Sequence, residues 1–394
     1  MQPSPYTPGQ VAREVVGRAE QLAEIGERLM YMAELGRLIG RIRVDTGPRG
    51  VGKTSLLREV QRDAEARGVA TVWVTAGGDE PLAQAIATQI RARVAGWKKK
   101  SRGRLLRAID QVSITAGVPG VAQVGATVKP ALGTAGSEGS AGSLSEPSFK
   151  ELIIETANAA REEGHRGLVL LIDEVQDADR QGLRTLAVTW QDLQAEADTL
   201  PVGVFAAGLP QTPEIISAAA TFSERFAYRT LHRLGPDASR VALVKPAGEI
   251  GVTWAEDALD AVIAQTNGYP HTLQLYADAA WARAGYPDPG GQIRKADVEH
   301  AAGRVAEDMD ALFRARWNNA TPVQRRFMAA MAQSLTDQRL AGRSDIAAVM
   351  GRDSRAISAA RAGLIDKGFI AVAGHGVLEF TIPGFAEFVR AQED

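Results

Sequence analysis

A glycine-rich stretch, GPRGVGKTS, contains the residue types that hold a phosphate group. Gly47 to Thr54 fit the pattern G-x-x-x-x-G-K-[ST], in which backbone N–H groups surround phosphate oxygens. Glycines permit the required backbone conformations, and the helix predicted after the loop adds its positive amino end. A chance match is the alternative in a chain with 40 glycines, but it would rarely fall between a strand and a helix. The predicted nucleotide-binding residues of this loop are Gly47, Pro48, Arg49, Gly50, Val51, Gly52, Lys53, Thr54 and Ser55.

Two residues of the loop have side chains suited to a nucleoside triphosphate. Lys53 is a mobile point charge for the β- and γ-phosphates, and Thr54 offers a hydroxyl oxygen to Mg²⁺. The pattern therefore predicts ATP as the ligand with Mg²⁺ as its metal ion.

A second acidic segment, LVLLIDEVQ, completes the site that this chemistry needs. Asp173 follows an apolar run and is predicted to hold Mg²⁺, and Glu174 is placed to polarise a water molecule that attacks the γ-phosphate. Two adjacent acids can also be the solvated end of a strand, which is the alternative. Together with the phosphate loop they predict ATP hydrolysis, because positioning and charge neutralisation are most of what phosphoryl transfer requires.

Phosphoryl transfer also needs a positive charge near the developing γ-phosphate. Arg225, in the segment TFSERFAYRTLHRLG, is predicted to lie on a helix or turn after the last strand and to act on a neighbouring subunit's nucleotide. A surface arginine paired with Glu224 is the alternative, and Arg229 and Arg233 are rival candidates.

The C-terminal pattern is that of a winged helix-turn-helix: helices followed by two short strands across the turn at 374–376. Its predicted recognition helix carries three arginines, Arg352, Arg355 and Arg361, that could contact double-stranded DNA. The wing contains no lysine or arginine and carries Glu379, so protein docking is the alternative. A basic run from Pro81 to Ile109 is either a phosphate-backbone contact or a solvated face.

Strands that alternate with helices up to about residue 235 predict an α/β fold with a parallel sheet, and ligands at the carboxyl ends of its strands. We expect a nucleotide-binding core at 1–235 with an insertion at about 97–147. A helical lid at 236–316 and a winged helix at 317–394 would follow. The Gly/Ser-rich stretch near 131–146 reads as a flexible linker.

Composition excludes several classes of protein. A chain of 394 residues is long enough for two or three domains, and 45% hydrophobic with 23% charged residues is typical of a globular protein. The absence of cysteine excludes disulfides and thiolate metal sites, and the five histidines have no metal-ligand spacing. No apolar run reaches the roughly 18 residues of a spanning helix, so we expect no membrane association and a cytoplasmic location.

Taken in order, VGR with EQL, GPRGVGKT, LLIDEVQ, AAGLP, SERF and NGYPHTLQLYADAAW form a specific set. The chain resembles a bacterial member of the origin-recognition-complex-like AAA+ ATPases, close to the STAND NTPases, from about residue 5 to the C-terminus. The resemblance implies that Val16, Gly17 and Arg18 pack against the adenine, with Tyr6, Thr7 and Pro8 as further candidates. It also implies that Tyr269 and Pro270 lie in the lid over the nucleotide.

Two departures from the family pattern predict slow hydrolysis. The strand after the acidic one ends in Ala206, Ala207 and Gly208, where the family commonly has a polar residue that holds the attacking water. The lid helix begins with Tyr269, Pro270 and His271, where the family often places an arginine.

These observations lead to one expected function and one alternative. The first is a nucleotide-gated, DNA-associated regulator or loader of the replication or transposition type, acting as a homo-oligomer with an unknown protein partner. The second is a STAND-type signalling or defence switch whose winged helix docks proteins. A metabolic kinase is disfavoured, since no acceptor-substrate motif is visible.

Overall fold

The computed structural model describes residues 1–98, 103, 105–109, 146–220, 223–337, 339–374 and 376–392. Most of the predicted insertion at 97–147 lies outside the described residues, and so does half of the basic run. The basic residues outside are Lys99, Lys100, Arg102 and Arg104.

Five parallel strands form the central sheet, in the order β2–β3–β4–β1–β5. The strands are β1 (Ile42–Thr46), β2 (Ala70–Thr75), β3 (Leu168–Asp173), β4 (Val202–Gly208) and β5 (Phe226–Thr230). The three central strands, β3, β4 and β1, are buried along their whole length, as expected for a parallel sheet with helices on both faces. The predicted α/β P-loop fold is confirmed.

Helices cover both faces of this sheet, and six of them have bounds within the described residues. They are α1 (Ala19–Leu35), α2 (Lys53–Ala66), α3 (Leu82–Val94), α4 (Glu146–Glu162), α5 (Arg180–Glu196) and α6 (Thr212–Ala219). Two apolar clusters pack on the sheet, and alternate residues of the strands contribute to one or the other. In β3, for example, Leu168 and Leu170 belong to one cluster and Val169 and Leu171 to the other.

The fifth strand differs from the sequence-based expectation, which placed Arg225 on a helix or turn after the last strand. The segment FAYRT is itself the last strand, and Arg225 immediately precedes it. The strand was hard to foresee because Arg229 lies within it at the sheet edge. Glu24 of α1 binds that arginine at 2.6 Å and also binds Arg43 of β1 at 2.7 Å, so a polar network holds the strand in place.

Residues 236–319 form a helical layer over the carboxyl edge of the sheet. Its helices are α7 (Pro236–Gly248), α8 (Glu256–Thr266), α9 (Pro270–Arg283) and α10 (Lys295–Asn319). Two short parallel strands, β6 (Thr253–Trp254) and β7 (Gln292–Ile293), also occur here, although the sequence predicted only helix. They make just two register pairs, which is too short for a period-2 pattern to reveal them.

The C-terminal module contains α11 (Pro322–Gln333), β8 (Ala341–Gly342), α12 (Arg343–Val349), α13 (Ser358–Asp366), β9 (Ile370–Gly374), β10 (Val377–Phe380) and α14 (Phe385–Arg390). Its three strands are antiparallel in the order β8–β10–β9. Helix α10 connects this module to the preceding layer and shares its core, because Phe313 packs against Phe385 with ring centroids 5.1 Å apart. Among the described helices, none has the length and apolar character needed to cross a bilayer.

Candidate functional site

The loop between β1 and α2 has the backbone geometry of an anion cradle. Gly50 and Gly52 adopt φ values of +82° and +98°, in the left-handed region that residues with a side chain rarely occupy. Helix α2 begins directly at Lys53, and no side chain caps its first N–H groups. Its first turn also carries no acidic residue. These unpaired donors at a helix amino end are available to phosphate oxygens.

Lys53 lies inside this loop with only 6% of its surface exposed. Its Nζ donates hydrogen bonds to the carbonyl oxygens of Gly47, at 2.9 Å, and Pro48, at 3.0 Å. Burial lowers the pKa of Lys53 to about 8, against the opposing influence of Glu174 and Asp173. A buried ammonium group whose charge is only partly compensated is stabilised when an anion enters the loop.

The phosphate loop contacts the end of β3 through Thr54, the residue after Lys53. Asp173 ends β3, is 6% exposed, and accepts a 2.9 Å hydrogen bond from the hydroxyl of Thr54. Burial raises the pKa of Asp173. A hydroxyl and a carboxylate oxygen form the hard-oxygen donor set that Mg²⁺ prefers. The described residues contain no cluster of three or more His, Cys, Asp or Glu that could hold a metal. A cation here would therefore need water and phosphate as its remaining ligands, which suits Mg²⁺.

Glu174 follows with a left-handed backbone, at φ +51° and ψ +41°, which is unusual for a residue with a side chain. Its Oε1 lies 3.8 Å from a guanidinium nitrogen of Arg49 in the loop. Its Oε2 accepts a 2.8 Å hydrogen bond from the side-chain amide of Gln176. The carboxylate thus has one oxygen towards the loop and one anchored behind it.

The helical layer contacts the loop directly. A Cβ atom at Gly50 would lie 3.0 Å from His271 Cβ and 3.1 Å from Tyr269 Cε1, so only glycine fits between the loop and the start of α9. The hydroxyl of Tyr269 is buried without a hydrogen-bond partner, and burial raises its pKa. Burial also lowers the pKa of His271, which favours a neutral imidazole beside the loop.

A cavity of about 180 Å³ opens beside the loop, between the N-terminal segment and the helical layer. Residues from three parts of the chain line it, including Val16, Arg18, Val51, Ser55 and Pro270. Arg18 is 7% exposed and donates a 3.2 Å hydrogen bond to the carbonyl oxygen of Val51. A small cavity with apolar walls next to a phosphate cradle has the size and position that a nucleobase requires.

The residues of the N-terminal segment do not all lie where the sequence predicted. Thr7 lines the cavity, but Tyr6 is buried in the helical layer, where its ring packs edge-on against Trp254 and Trp281. Its hydroxyl accepts a hydrogen bond from Trp254 and donates one to the carbonyl oxygen of Leu243. The predicted contact of Tyr6 with the base is therefore wrong. Gly17 packs on α7, since a Cβ there would lie 2.5 Å from the Ala238 Cβ.

Arg225 is far from the loop of its own chain. Strands β1 and β5 are parallel and pair Ile42 with Phe226 at one end and Thr46 with Thr230 at the other. Arg225 thus lies at the amino edge of the sheet, whereas the loop follows the carboxyl edge, about 13 Å away along a five-residue strand. The structure gives no ion pair between Arg225 and Glu224, and the Nε atom is buried without a partner.

Both rival arginines are already engaged. Arg229 binds Glu24 with N–O distances of 2.6 and 3.0 Å. Arg233 lies 3.6 Å from Glu379 on β10 of the C-terminal module. Of the three, Arg225 alone lacks an ion pair within the part of the chain that the structure describes.

The arginines predicted to contact DNA lie in or just before helix α13 of the C-terminal module. The predicted recognition helix begins later than expected: Arg352 and Arg355 are exposed in the turn before α13, and only Arg361, which is partly exposed, lies on that helix. Ile357, Ala360 and Leu364 are buried in the core. None of these arginines has an ion pair with a described residue. Glu379, in the predicted wing, instead lies 3.6 Å from Arg233, which precedes α7.

One residue near the acids was missed by the sequence reasoning. Gln176, 7% exposed, connects Glu174 to the end of β4 by accepting a 2.9 Å hydrogen bond from the N–H of Leu209. A polar residue two positions after Glu174, between Val175 and Asp177, was the available signal.

Comparison with known proteins agrees with this geometry. Residues 14–205 match the family model of the AAA ATPase domain, AAA_16, and residues 310–389 match a domain of unknown function, DUF8462. No curated protein matches the chain. The fold is similar to that of the Walker-type ATPase paby2304 of Pyrococcus abyssi, with 14% identity, a TM-score of 0.61 and 98% of each chain covered.

A second solved structure has a related fold. The ORC2 protein of Aeropyrum pernix, in its ADP form, shares 12% identity with a TM-score of 0.54, over 99% of this chain and 97% of that chain. Likeness at these identities concerns the fold alone. Together with the domain match over residues 14–205, it shows an α/β P-loop NTPase fold.

Proposed function

We propose that this protein binds ATP with Mg²⁺, hydrolyses it slowly, and uses the nucleotide to control a DNA-associated C-terminal winged helix. The observation that carries the proposal is the convergence of Lys53, Thr54 and Asp173 at one buried point beside an uncapped helix.

In this proposal the loop and the neighbouring cavity bind the two ends of ATP. Lys53 exchanges its bonds with loop carbonyl oxygens for bonds with the β- and γ-phosphates. The base occupies the cavity lined by Val16, Arg18 and Pro270, with Gly17 holding the segment against α7. Tyr269 covers the loop from the lid.

Thr54 and Asp173 would hold Mg²⁺, which supplies charge neutralisation at the phosphates when it is bound. Glu174 then accepts a proton from the attacking water through Oε1, the oxygen on the side of Arg49 and the loop. Arg225, at the opposite edge of the sheet, is placed to serve the nucleotide of a neighbouring copy in a homo-oligomer.

Slow turnover is supported by the side chains beside the acids. Ala206, Ala207 and Gly208 give β4 no polar side chain at its carboxyl end, and His271 at the start of α9 is favoured as neutral. An isolated chain would therefore lack part of the charge that stabilises the transferred phosphoryl group.

The proposed domains are a core at 1–235, a lid at 236–316 and a winged helix at 317–394. Nucleotide would act on the winged helix through the lid, because α10 runs continuously from the lid into the core of the C-terminal module. Arg316 near the end of this helix donates a 3.2 Å hydrogen bond to the carbonyl oxygen of Gly368 in the module. A shift of the lid on its loop contact at Gly50 would therefore move the module as well.

Double-stranded DNA is supported as the partner by Arg352, Arg355 and Arg361. Three guanidinium groups that form no ion pair with any described residue lie on or just before one helix, an arrangement that can reach phosphates or guanine edges. Arg91, Arg93 and Lys98 are also exposed, on and beyond α3.

One observation favours the alternative, a STAND-type switch that docks an unidentified protein. The wing is directed at the core, where Glu379 meets Arg233, so it is not free to contact a duplex. In that case ATP would release the module for protein docking.

A mobility-shift titration separates these functions. The wild type is titrated on duplex and single-stranded DNA, with and without MgATP, at two salt concentrations. The variants are Lys53→Ala and the double variant Arg355→Ala/Arg361→Ala. Arg314→Ala serves as the matched control, because Arg314 is exposed on α10 but lies outside the recognition helix and pairs with Asp310.

We expect salt-sensitive duplex binding that weakens about tenfold or more in the double variant and is unchanged in Arg314→Ala. Nucleotide dependence of binding should disappear in Lys53→Ala. Absence of DNA binding, together with ATP-driven oligomerisation, would contradict the DNA role and support the protein-docking switch.

A further inference from the structure

Gln176 lies between the acidic segment and the adjacent strand, where its side-chain amide is fully used. Its Nε2 donates to Glu174 Oε2 at 2.8 Å and to Asp177 Oδ2 at 2.9 Å, and its Oε1 accepts from the N–H of Leu209 at 2.9 Å. The orientation of the amide is unambiguous, since carboxylates only accept and a backbone N–H only donates.

The end of β4 is shaped to receive this amide. A Cβ atom at Gly208 would lie 3.1 Å from Gln176 Oε1, 3.1 Å from a methyl group of Val175 and 2.3 Å from the hydroxyl of Thr212. There is thus no room for a side chain on β4 at the point where the amide crosses. The absence of a side chain at Gly208 therefore leaves the space that the amide of Gln176 occupies.

We infer that Gln176 is the positioning residue for the attacking water: by fixing Glu174 Oε2, it leaves Oε1 directed to the loop. It orients the Glu174 carboxylate from the acidic segment, beside the end of β4, where no polar side chain is available to hold the water directly. This inference rests on the ATPase function proposed above and adds a residue to it.

The left-handed backbone of Glu174 makes such an anchor necessary. With φ at +51°, this residue occupies a sparsely populated conformation that its surroundings must maintain. Arg49 is the other group near the carboxylate, but it lies 3.8 Å away and its side chain is about half exposed. A pair of that kind contributes little orientation, whereas the amide of Gln176 is buried and makes short bonds.

The test measures ATP binding and steady-state hydrolysis in the full chain. Gln176→Leu removes all three hydrogen bonds at nearly constant volume, and Gln176→Glu keeps the shape but cannot donate when ionised. Gln211→Leu is the matched control, because Gln211 is equally buried at the nearby end of β4 but donates to the carbonyl oxygen of Asp366.

We expect both Gln176 variants to lower kcat by about 100-fold while the KM for ATP changes little, because only the water is misplaced. Gln211→Leu should keep the wild-type kcat. In a Glu174→Gln background, Gln176→Leu should have no further effect, since the amide acts through the carboxylate.

Three results would overturn the inference: an unchanged kcat in both Gln176 variants, a kcat loss matched by an equal loss of ATP affinity, or full additivity with Glu174→Gln. If Gln176→Leu does not fold, as judged by thermal unfolding, Gln176→Glu decides the question. Failure of the wild type to bind or hydrolyse ATP would instead contradict the proposed function itself.

Discussion

Thr54 and Asp173, 119 positions apart in the chain, are joined by a 2.9 Å hydrogen bond from the threonine hydroxyl to the carboxylate. They come from the first turn of α2 and the last residue of β3. Because β4 separates β1 from β3 in the sheet, this bond spans the phosphate loop and the acidic strand across an intervening strand. The threonine hydroxyl and the carboxylate are the groups that would hold Mg²⁺ beside the phosphate loop.

Asp173→Asn should therefore uncouple ATP binding from Mg²⁺. The wild type is expected to bind ATP about tenfold or more tightly with Mg²⁺ than with a chelator, and the variant to show no such difference, because an amide oxygen lacks the charge that holds the cation. Calorimetric titration with and without Mg²⁺ measures this. Asp177→Asn is the control, since Asp177 follows in the same segment but has no bond to Thr54. A Mg²⁺ effect that persists in Asp173→Asn would contradict the assigned metal site.

Lys53→Ala is expected to weaken ATP binding by about 100-fold or more. The variant removes the one buried ammonium in the loop, whereas the backbone donors remain. Lys150→Ala provides the comparison, since Lys150 lies on α4 and pairs with Glu196. Fluorescence titration with an ATP analogue gives both affinities. Equal affinities for Lys53→Ala and wild type would show that the loop does not bind nucleotide phosphates.

The phosphate loop and its two acids could be predicted from sequence because each is a short contiguous signal. Gly47 to Thr54 and the apolar run ending in Asp173 define their own strand and helix boundaries. The parallel sheet followed from the same alternation, which places the ends of β1 and β3 at one edge.

Other features depend on contacts that no local pattern contains. β5 is an edge strand whose Arg229 is stabilised by Glu24, 205 positions earlier. The sequence predicted that Tyr6 contacts the nucleotide, but its hydroxyl accepts a hydrogen bond from Trp254, 248 positions later. The role of Gln176 depends on its hydrogen bond with the N–H of Leu209, 33 positions later, which forms only because β4 lies beside β3. The location of Arg225 required knowing that FAYRT is a parallel strand.

Lys53 also predicts the pH dependence of nucleotide affinity. Burial lowers its pKa in the free protein to about 8, and bound phosphates would raise it again by stabilising the ammonium form. Below pH 8 the free protein already carries the proton, so affinity should be constant there. Above pH 8 binding must take up a proton, so affinity should fall by up to about tenfold per pH unit.

Measurement of the ATP dissociation constant from about pH 7 to about pH 9.5 tests whether the affinity falls as the pH rises. Lys53→Arg is the control, because a guanidinium stays charged over the whole range, and its affinity should not change with pH. An affinity for the wild type that rises with pH, or falls only below pH 7, would exclude Lys53 as the titrating group.

Arg225 gives a prediction about subunits. Because Arg225 lies at the sheet edge opposite the loop of its own chain, any role in hydrolysis would be on the nucleotide of a neighbouring copy. Arg225→Ala is expected to lower hydrolysis by about 10³-fold without weakening ATP binding, and Lys53→Ala to be inactive at ATP concentrations that saturate the wild type, because it binds ATP too weakly. An equimolar mixture should regain activity, since the Lys53→Ala chain still supplies Arg225 to the intact site of the other. Arg229→Ala, mixed in the same way, is the comparison for an arginine held by Glu24. No recovery in the Arg225→Ala mixture, with oligomers present, would exclude action in trans.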